Sequence, residues 1–208
     1  ELGLDAALDE GQVRWRYFPP SLTGVAAGID IDHPVEGDLL EAHALTIIPS
    51  IGALLTGTLD LQAIEIDDPS IHLRVREGRV VNFPELPESG DGPVEFPFRV
   101  LSVHGGAVDV ESDAAMRGFL SGLELVLEGD GDTLGIELRG SRGEFEHRTG
   151  REVLEELVFV GTLDLSEGFE IAEARVRTPD ASLALTDVEV TLPFDPADWR
   201  GTVDAELD

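Results

Sequence analysis

Apolar and polar side chains alternate with a period of two along most of the chain. Val13, Trp15 and Tyr17 alternate with Arg14 and Arg16, and Ile71, Leu73 and Val75 alternate with His72, Arg74 and Arg76. The runs Leu123, Leu125, Leu127, then Leu134, Ile136, Leu138, then Val203, Ala205, Leu207 repeat the pattern. Successive side chains of a strand point to opposite faces. Each run therefore predicts a strand with one buried and one wetted face, the signature of an antiparallel rather than a parallel sheet. Turn-forming residues separate the runs at His33-Pro34 to Glu36-Gly37, Asp68-Pro69, Glu77-Gly78, Gly129 to Asp132, Glu167-Gly168 and Thr178-Pro179-Asp180. Their spacing predicts about eleven to thirteen strands.

Two segments change phase midway. Leu59 and Leu61 are followed by Ile64 and Ile66 on the other parity, and Leu183 and Leu185 by Val188 and Val190. One extra residue keeps the apolar set on one face, which is what a β-bulge does, and bulges bend a sheet. Helix is scarce. Ser50 to Gly57 places Ile51, Leu54 and Leu55 at i, i+3 and i+4, with Ser50 as cap and Gly57 as stop, and predicts two turns. The segment Arg151 to Glu156 is read as loop and strand instead.

Residues 84–97 hold Pro84, Pro87, Pro93 and Pro97 among acidic residues and read as an exposed connection. They divide the chain into an N-terminal part, 1–83, and a C-terminal part, 98–208, or loop out of one continuous domain, 1–208. Gly57-Thr58-Leu59-Asp60-Leu61 returns as Gly161-Thr162-Leu163-Asp164-Leu165 and as Gly201-Thr202-Val203-Asp204-Ala205, and the sequel Asp68-Pro69-Ser70-Ile71-His72-Leu73 resembles Thr178-Pro179-Asp180-Ala181-Ser182-Leu183-Ala184-Leu185, each time a strand, a proline turn and a second strand in order. This reads as an internal repeat.

Composition narrows the function. The chain has 14 basic and 43 acidic residues, every basic one an arginine, for a formal charge of −29. Phosphate binding needs clustered cations, so nucleic acid is excluded as a partner, as is general attraction to anionic headgroups. Cysteine is absent, which removes disulfides, thiolate metal sites and a cysteine nucleophile. The histidines His33, His43, His72, His104 and His147 never fall at the spacing of a local metal pair. No calcium loop, Walker loop, dinucleotide fingerprint or nucleophile elbow occurs, and Gly129-Asp130-Gly131-Asp132 reads as a hairpin turn. No enzyme, metal or cofactor is expected. What remains is the apolar face. About a dozen strands each offer large apolar side chains, with almost no helix to cover them. The face closes as a barrel, folds back as a sandwich, or curls into a trough that an apolar ligand fills.

Ser21-Leu22-Thr23-Gly24-Val25 and then Leu39-Leu40-Glu41-Ala42 open an order of motifs, running to residue 110, that resembles the AsmA-like superfamily, whose members include AsmA, TamB and YhdP. The run Pro49-Ser50-Ile51-Gly52-Ala53-Leu54-Leu55-Thr56-Gly57-Thr58-Leu59-Asp60-Leu61 is similar to that family's short helix and following strand. Asp67-Asp68-Pro69-Ser70-Ile71-His72-Leu73-Arg74, Gly78-Arg79-Val80-Val81-Asn82-Phe83 and Leu101-Ser102-Val103-His104-Gly105-Gly106-Ala107-Val108 continue the likeness. Ile171 to Leu207 matches its loosely repeated strands. The family's membrane anchor is missing before Glu1, consistent with excision.

The resemblance implies an all-β, mainly antiparallel, curled β-groove (taco-like) sheet with one short helix near 50–57. It implies a periplasmic protein anchored in the inner membrane, whose groove shields phospholipid acyl chains on their way between the inner and outer membranes. Lipid-binding candidates are Leu59, Leu61, Ile64, Ile66, Ile71, Leu73, Val103, Leu125, Leu134, Ile136, Leu163, Ile171, Leu183, Leu185 and Val203. At ~4.8 Å per strand, a dozen strands give a trough of roughly 60 Å, one stretch of a longer conduit. The alternative expectation is a scaffold module that adds a strand from an outer-membrane assembly protein to an open sheet edge. A sugar- or calcium-binding β domain ranks last.

Overall fold

The computed structural model describes residues 5–17, 20–33, 36–57, 60–77, 79–82, 96, 98–113, 116–147, 150–164, 168–191 and 200–207. The strands are β1 (Asp5–Tyr17), β2 (Pro20–His33), β3 (Gly37–Pro49), β4 (Leu61–Asp67), β5 (Ser70–Arg76), β6 (Arg79–Val80), β7 (Phe98–Ser112) and β8 (Arg117–Asp130). They continue as β9 (Thr133–Gly140), β10 (Arg142–His147), β11 (Gly150–Leu154), β12 (Glu156–Asp164), β13 (Gly168–Arg177), β14 (Ala181–Thr191) and β15 (Arg200–Leu207). One helix, α1 (Ile51–Thr56), follows β3. All the strands belong to one sheet, and the fold is all-β.

The ladder runs in chain order. β4 and β5 are two halves of one ladder position, because both pair with β3 on one side and β7 on the other. β9 and β10 likewise share the position beside β8. β11 and β12 share the next, pairing with β10 and β9. Counted this way the sheet has eleven positions from β1 to β15. Neighbours are antiparallel except where β4 and β5 meet β7 in parallel. The connection across that junction carries β6 and the proline-rich segment, and it leaves and re-enters the same sheet. Of residues 84–97 only Phe96 is among those described.

Local chemistry sets the predicted helix and turns. Ser50 is extended, and its hydroxyl accepts from the Ala53 N–H at 3.5 Å. Gly57 ends α1 at φ 80°, a left-handed backbone that suits glycine. The Gly129–Asp132 segment makes the expected hairpin, with Asp130 opposite Thr133 and Gly131 at φ 65°. Bulges fall where the phase slips predict them. The register shifts between Ile48 and Pro49, opposite the start of β4, and between Thr186 and Glu189, where Asp187 is left-handed. The sequence echo does not correspond to one repeated unit. Gly57 caps a helix, whereas Gly161 lies within β12. Asp68-Pro69 interrupts a strand that continues in the same direction, whereas Thr178-Pro179-Asp180 reverses the chain between β13 and β14.

A transverse crease crosses eight of the eleven positions. It passes through Asp9, Gly28, His43, Asp68-Pro69, Gly105, Gly122, Ser141 and Glu155, where the ladders skip a pair or a strand breaks. Gly28, Asp68, Gly105 and Gly122 have φ of 61°, 47°, 69° and 62°. Each such residue turns the following side chains over by one, so the apolar parity shifts there along the crease and the sheet bends.

Below the crease, β3 and β5 separate after Leu40 and Ile71, and Asn82 fills the gap. It is fully buried. Its side-chain oxygen accepts from the Arg74 N–H at 2.9 Å, and its amide donates to His72 O at 2.5 Å and Asp38 O at 3.3 Å.

The two ends of the ladder stay apart. Among the described residues no pairing joins β1 to β15, so the sheet is not a closed barrel. The chain exposes 13949 Å² of surface. A compact monomer of its size exposes about 9,400 Å². Among the described residues only Leu39, Ala42, Leu123, Leu134, Leu154 and Val188 are buried hydrophobics. The apolar face is therefore largely uncovered, and the fold is an open curled sheet.

Candidate functional site: an apolar trough

Cross-strand partners lie on the same side of a sheet, so the register identifies one face residue by residue. One row crosses all eleven positions: Gly11, Ala26, Leu45, Ile66, Val103, Leu125, Leu138, Phe159, Ala174, Leu185 and Val203. No position in it is polar. A second row runs beside it through Val13, Gly24, Ile47, Ile64, Leu101, Leu127, Ile136, Gly161, Ile171 and Val188. Leu134, Leu163 and Phe169 form a third, with Phe159 and Phe169 stacked at 5.6 Å.

The predicted residues come together on this face. Ile66, Val103, Leu125, Leu185 and Val203 occupy the first row; Ile64, Ile136 and Ile171 occupy the second; Leu134 and Leu163 are partners in the third. Leu183 pairs with Val176, next to the first row, and is 43% exposed near the sheet edge. Leu61 returns to pair with Pro49 after the bulge. Ile71 and Leu73 lie across the crease, pairing with Val108 and Val110. Leu59 lies outside the described residues. The sequence reading missed Leu45, Ile47, Leu101, Leu127, Leu138 and Phe159. Leu127 and Leu138 carried the right parity within alternating runs. The others sit in runs apolar on both parities, where period alone does not choose a face.

The trough continues across the crease. A cleft of about 290 Å³ opens there. Val103, Leu123, Leu125 and Leu138 wall it on one side, and Ile71, Val108, Leu120 and Phe145 on the other. An apolar cavity of about half that volume holds a benzene molecule, so this open cleft has room for more than one ring. Phe145 covers Gly118, and Leu120 covers Gly140 and Gly143, so large side chains interlock with glycines along the floor.

The opposite face is mostly polar. Its central row reads Gln12, Val25, Thr46, Glu65, Ser102, Val126, Glu137, Val160, Glu173, Thr186 and Thr202. Ion pairs lie on this side: Arg117 with Glu111 at 3.0 Å, Arg175 with Glu173, and Glu144 with both Arg142 and Arg151. At the crease, Glu124 meets His104 Nδ1 at 3.0 Å and accepts from the Gly105 N–H at 3.1 Å. The hydrogen bond from His104, then that from Gly105, holds the Glu124 carboxyl below its ordinary value. Arg151, ahead of Arg142, does the same for Glu144. A lowered carboxyl supports the fold fully above its ordinary value, and that support is lost as pH falls through the lowered one. Both groups are exposed, so the effect is small.

Among the described residues no three His, Asp or Glu side chains gather as metal ligands, and no helix is long and apolar enough to cross a membrane. No family model matches the chain, and no curated protein matches it either. Two faces of opposite character on one open sheet are thus the functional statement that the molecule makes.

Proposed function

We propose that the apolar trough shields phospholipid acyl chains, and that the chain is the periplasmic segment of an AsmA-like envelope protein. In this reading an anchor outside the present sequence holds it to the inner membrane, and it carries lipid toward the outer membrane. The observation that carries the reading is the eleven-position apolar row on an uncovered face. Each methylene that leaves water contributes about 0.8 kcal/mol, so an uncovered apolar strip of this length favours hydrocarbon over solvent. A charged headgroup stays at the open side, in water. The resemblance in motif order between residues 21 and 110 supports the family and, through it, the compartment. Among the described residues of the central strands, Glu65, Glu137 and Glu173 lie on the outer face, where they do not oppose an acyl chain inside.

A second reading has an observation of its own. Among the described residues β1 and β15 each pair on one side only, which leaves backbone donors and acceptors open for an added strand from an outer-membrane assembly protein.

Organic extraction of the purified chain, followed by mass spectrometry, separates the two. The lipid reading predicts co-purified phospholipid, lost from a Leu125→Asp/Ile136→Asp variant whose far-UV circular dichroism is unchanged. A folded, lipid-free wild type that binds a partner strand at Arg200–Leu207 supports the second reading and removes the first.

A further inference from the structure

The acidic residues of this chain are unevenly placed. Residues 11–29 and 42–59 contain none, and they are the two longest acid-free stretches in the sequence. At the average of about one acidic residue in five, these 37 residues would hold roughly seven. The fold brings the two stretches together. Gly11 pairs with Ala26, Val13 with Gly24 and Trp15 with Leu22, while Gly24 pairs with Ile47 and Ala27 with Ala44. α1 follows β3 and packs against β2 at the same corner.

That corner is also where apolar side chains stand furthest into solvent. Leu55 is 84% exposed, Val13 77%, Trp15 50% and Leu54 41%. α1 buries none of its side chains and carries no charge. On the other parity of β1, Arg14 and Arg16 are exposed. They are the only formal charges in the two stretches, which therefore total +2 in a chain of −29.

We propose that this corner, formed by the hairpin end of β1 and β2, the end of β3, and α1, docks the protein on the surface of an anionic lipid bilayer. Leu54 and Leu55 enter the acyl boundary, Trp15 lies at headgroup depth, and Arg14 and Arg16 meet lipid phosphates. Tryptophan and leucine beside arginine is the chemistry of an interfacial anchor. The rest of the chain carries a net negative charge and is repelled by anionic lipid, so the field favours presenting this corner to the membrane. A protein partner would need acidic residues placed against the arginines, and nothing in the corner selects them. The corner adjoins the end of the trough and shares Val13, Gly24 and Ile47 with its second row, but Leu54, Leu55, Trp15, Arg14 and Arg16 belong to none of the trough rows, so variants at these residues test docking apart from lipid carriage.

Vesicle flotation of the 208-residue chain tests it, with phosphatidylcholine vesicles and with vesicles that also contain phosphatidylglycerol. Wild type floats with the anionic vesicles. In a Trp199→Phe background, Trp15 fluorescence shifts to the blue on binding. Leu54→Glu/Leu55→Glu weakens partitioning by about tenfold or more, and these exposed positions leave the fold intact. Arg14→Glu/Arg16→Glu removes the preference for phosphatidylglycerol. Phe119→Ser, at an exposed apolar residue elsewhere, floats like wild type, and so does the trough variant Leu125→Asp/Ile136→Asp. Failure of wild type to float with either vesicle overturns the proposal. Equal flotation of the leucine variant, or an equal loss with Phe119→Ser, does so as well.

Discussion

Asn82→Leu lowers the unfolding free energy by about 3–5 kcal/mol, seen as a urea midpoint lower by roughly 1–2 M. The size follows from what Asn82 does. β3 and β5 diverge beyond Leu40 and Ile71, and their backbone groups there would otherwise face each other without partners. The Asn82 amide takes the place of a peptide unit in that gap. It accepts from Arg74 N–H and donates to the carbonyls of His72 and Asp38. Leucine matches its bulk yet satisfies none of the three, and the residue is fully buried, so no water takes over. Asn82→Asp keeps the acceptor but turns a second oxygen toward two carbonyls, and is expected to be no milder. Substitution of the adjacent exposed Val80 by alanine changes stability by less than about 0.5 kcal/mol. An Asn82→Leu midpoint within error of wild type would falsify this assignment.

The second large effect lies in the crease. Gly122 has φ 62°, and a Cβ there would fall on the Ser141 hydroxyl of the neighbouring position. Gly122→Val therefore loses about 3–4 kcal/mol, from left-handed backbone in a β-branched residue together with overlap against Ser141. The two causes separate in a double-mutant cycle. Gly122→Ala/Ser141→Gly relieves the overlap and retains only the backbone cost of about 1 kcal/mol. Additive effects of Gly122→Ala and Ser141→Gly in thermal unfolding would refute the contact. The same arrangement recurs where Asp9 lies over Gly28 and Asp68 over Gly105, so the bend is built by left-handed residues set under short polar side chains.

Strand, turn and helix chemistry was legible because it is local. Alternation in β8 and β9, the Gly131 turn, and the Ser50 and Gly57 caps each depend on a few adjacent residues. The one-residue slips at 59–66 and 183–190 were visible for the same reason. Their alignment was not. That Asp9, Gly28, His43, Gly105 and Gly122 form one crease depends on register between strands far apart in sequence, and period carries no register across ladders. The parallel junction of β4 and β5 with β7 was hidden likewise, since nothing in residues 77–97 fixes the direction of return. Asn82 was noticed only within a motif order, because a buried polar residue is meaningful only once its gap is known. The apolar face was legible wherever one parity was polar. It was not legible at Leu45, Ile47 and Leu101, whose neighbours are also apolar or small.

Adjacent residues of β8 test the trough most directly. Leu127 belongs to the second apolar row, between Leu101 and Ile136, while Val126 lies on the opposite face, between Ser102 and Glu137. Both are half-buried, so they differ in side rather than in exposure. A benzophenone side chain placed at each position in turn, and irradiated with phospholipid present, reads which face holds hydrocarbon. Strong lipid adducts at position 127 and none above background at 126 are the predicted result. Equal labelling at both positions, or labelling at 126 alone, would contradict a lipid-filled trough.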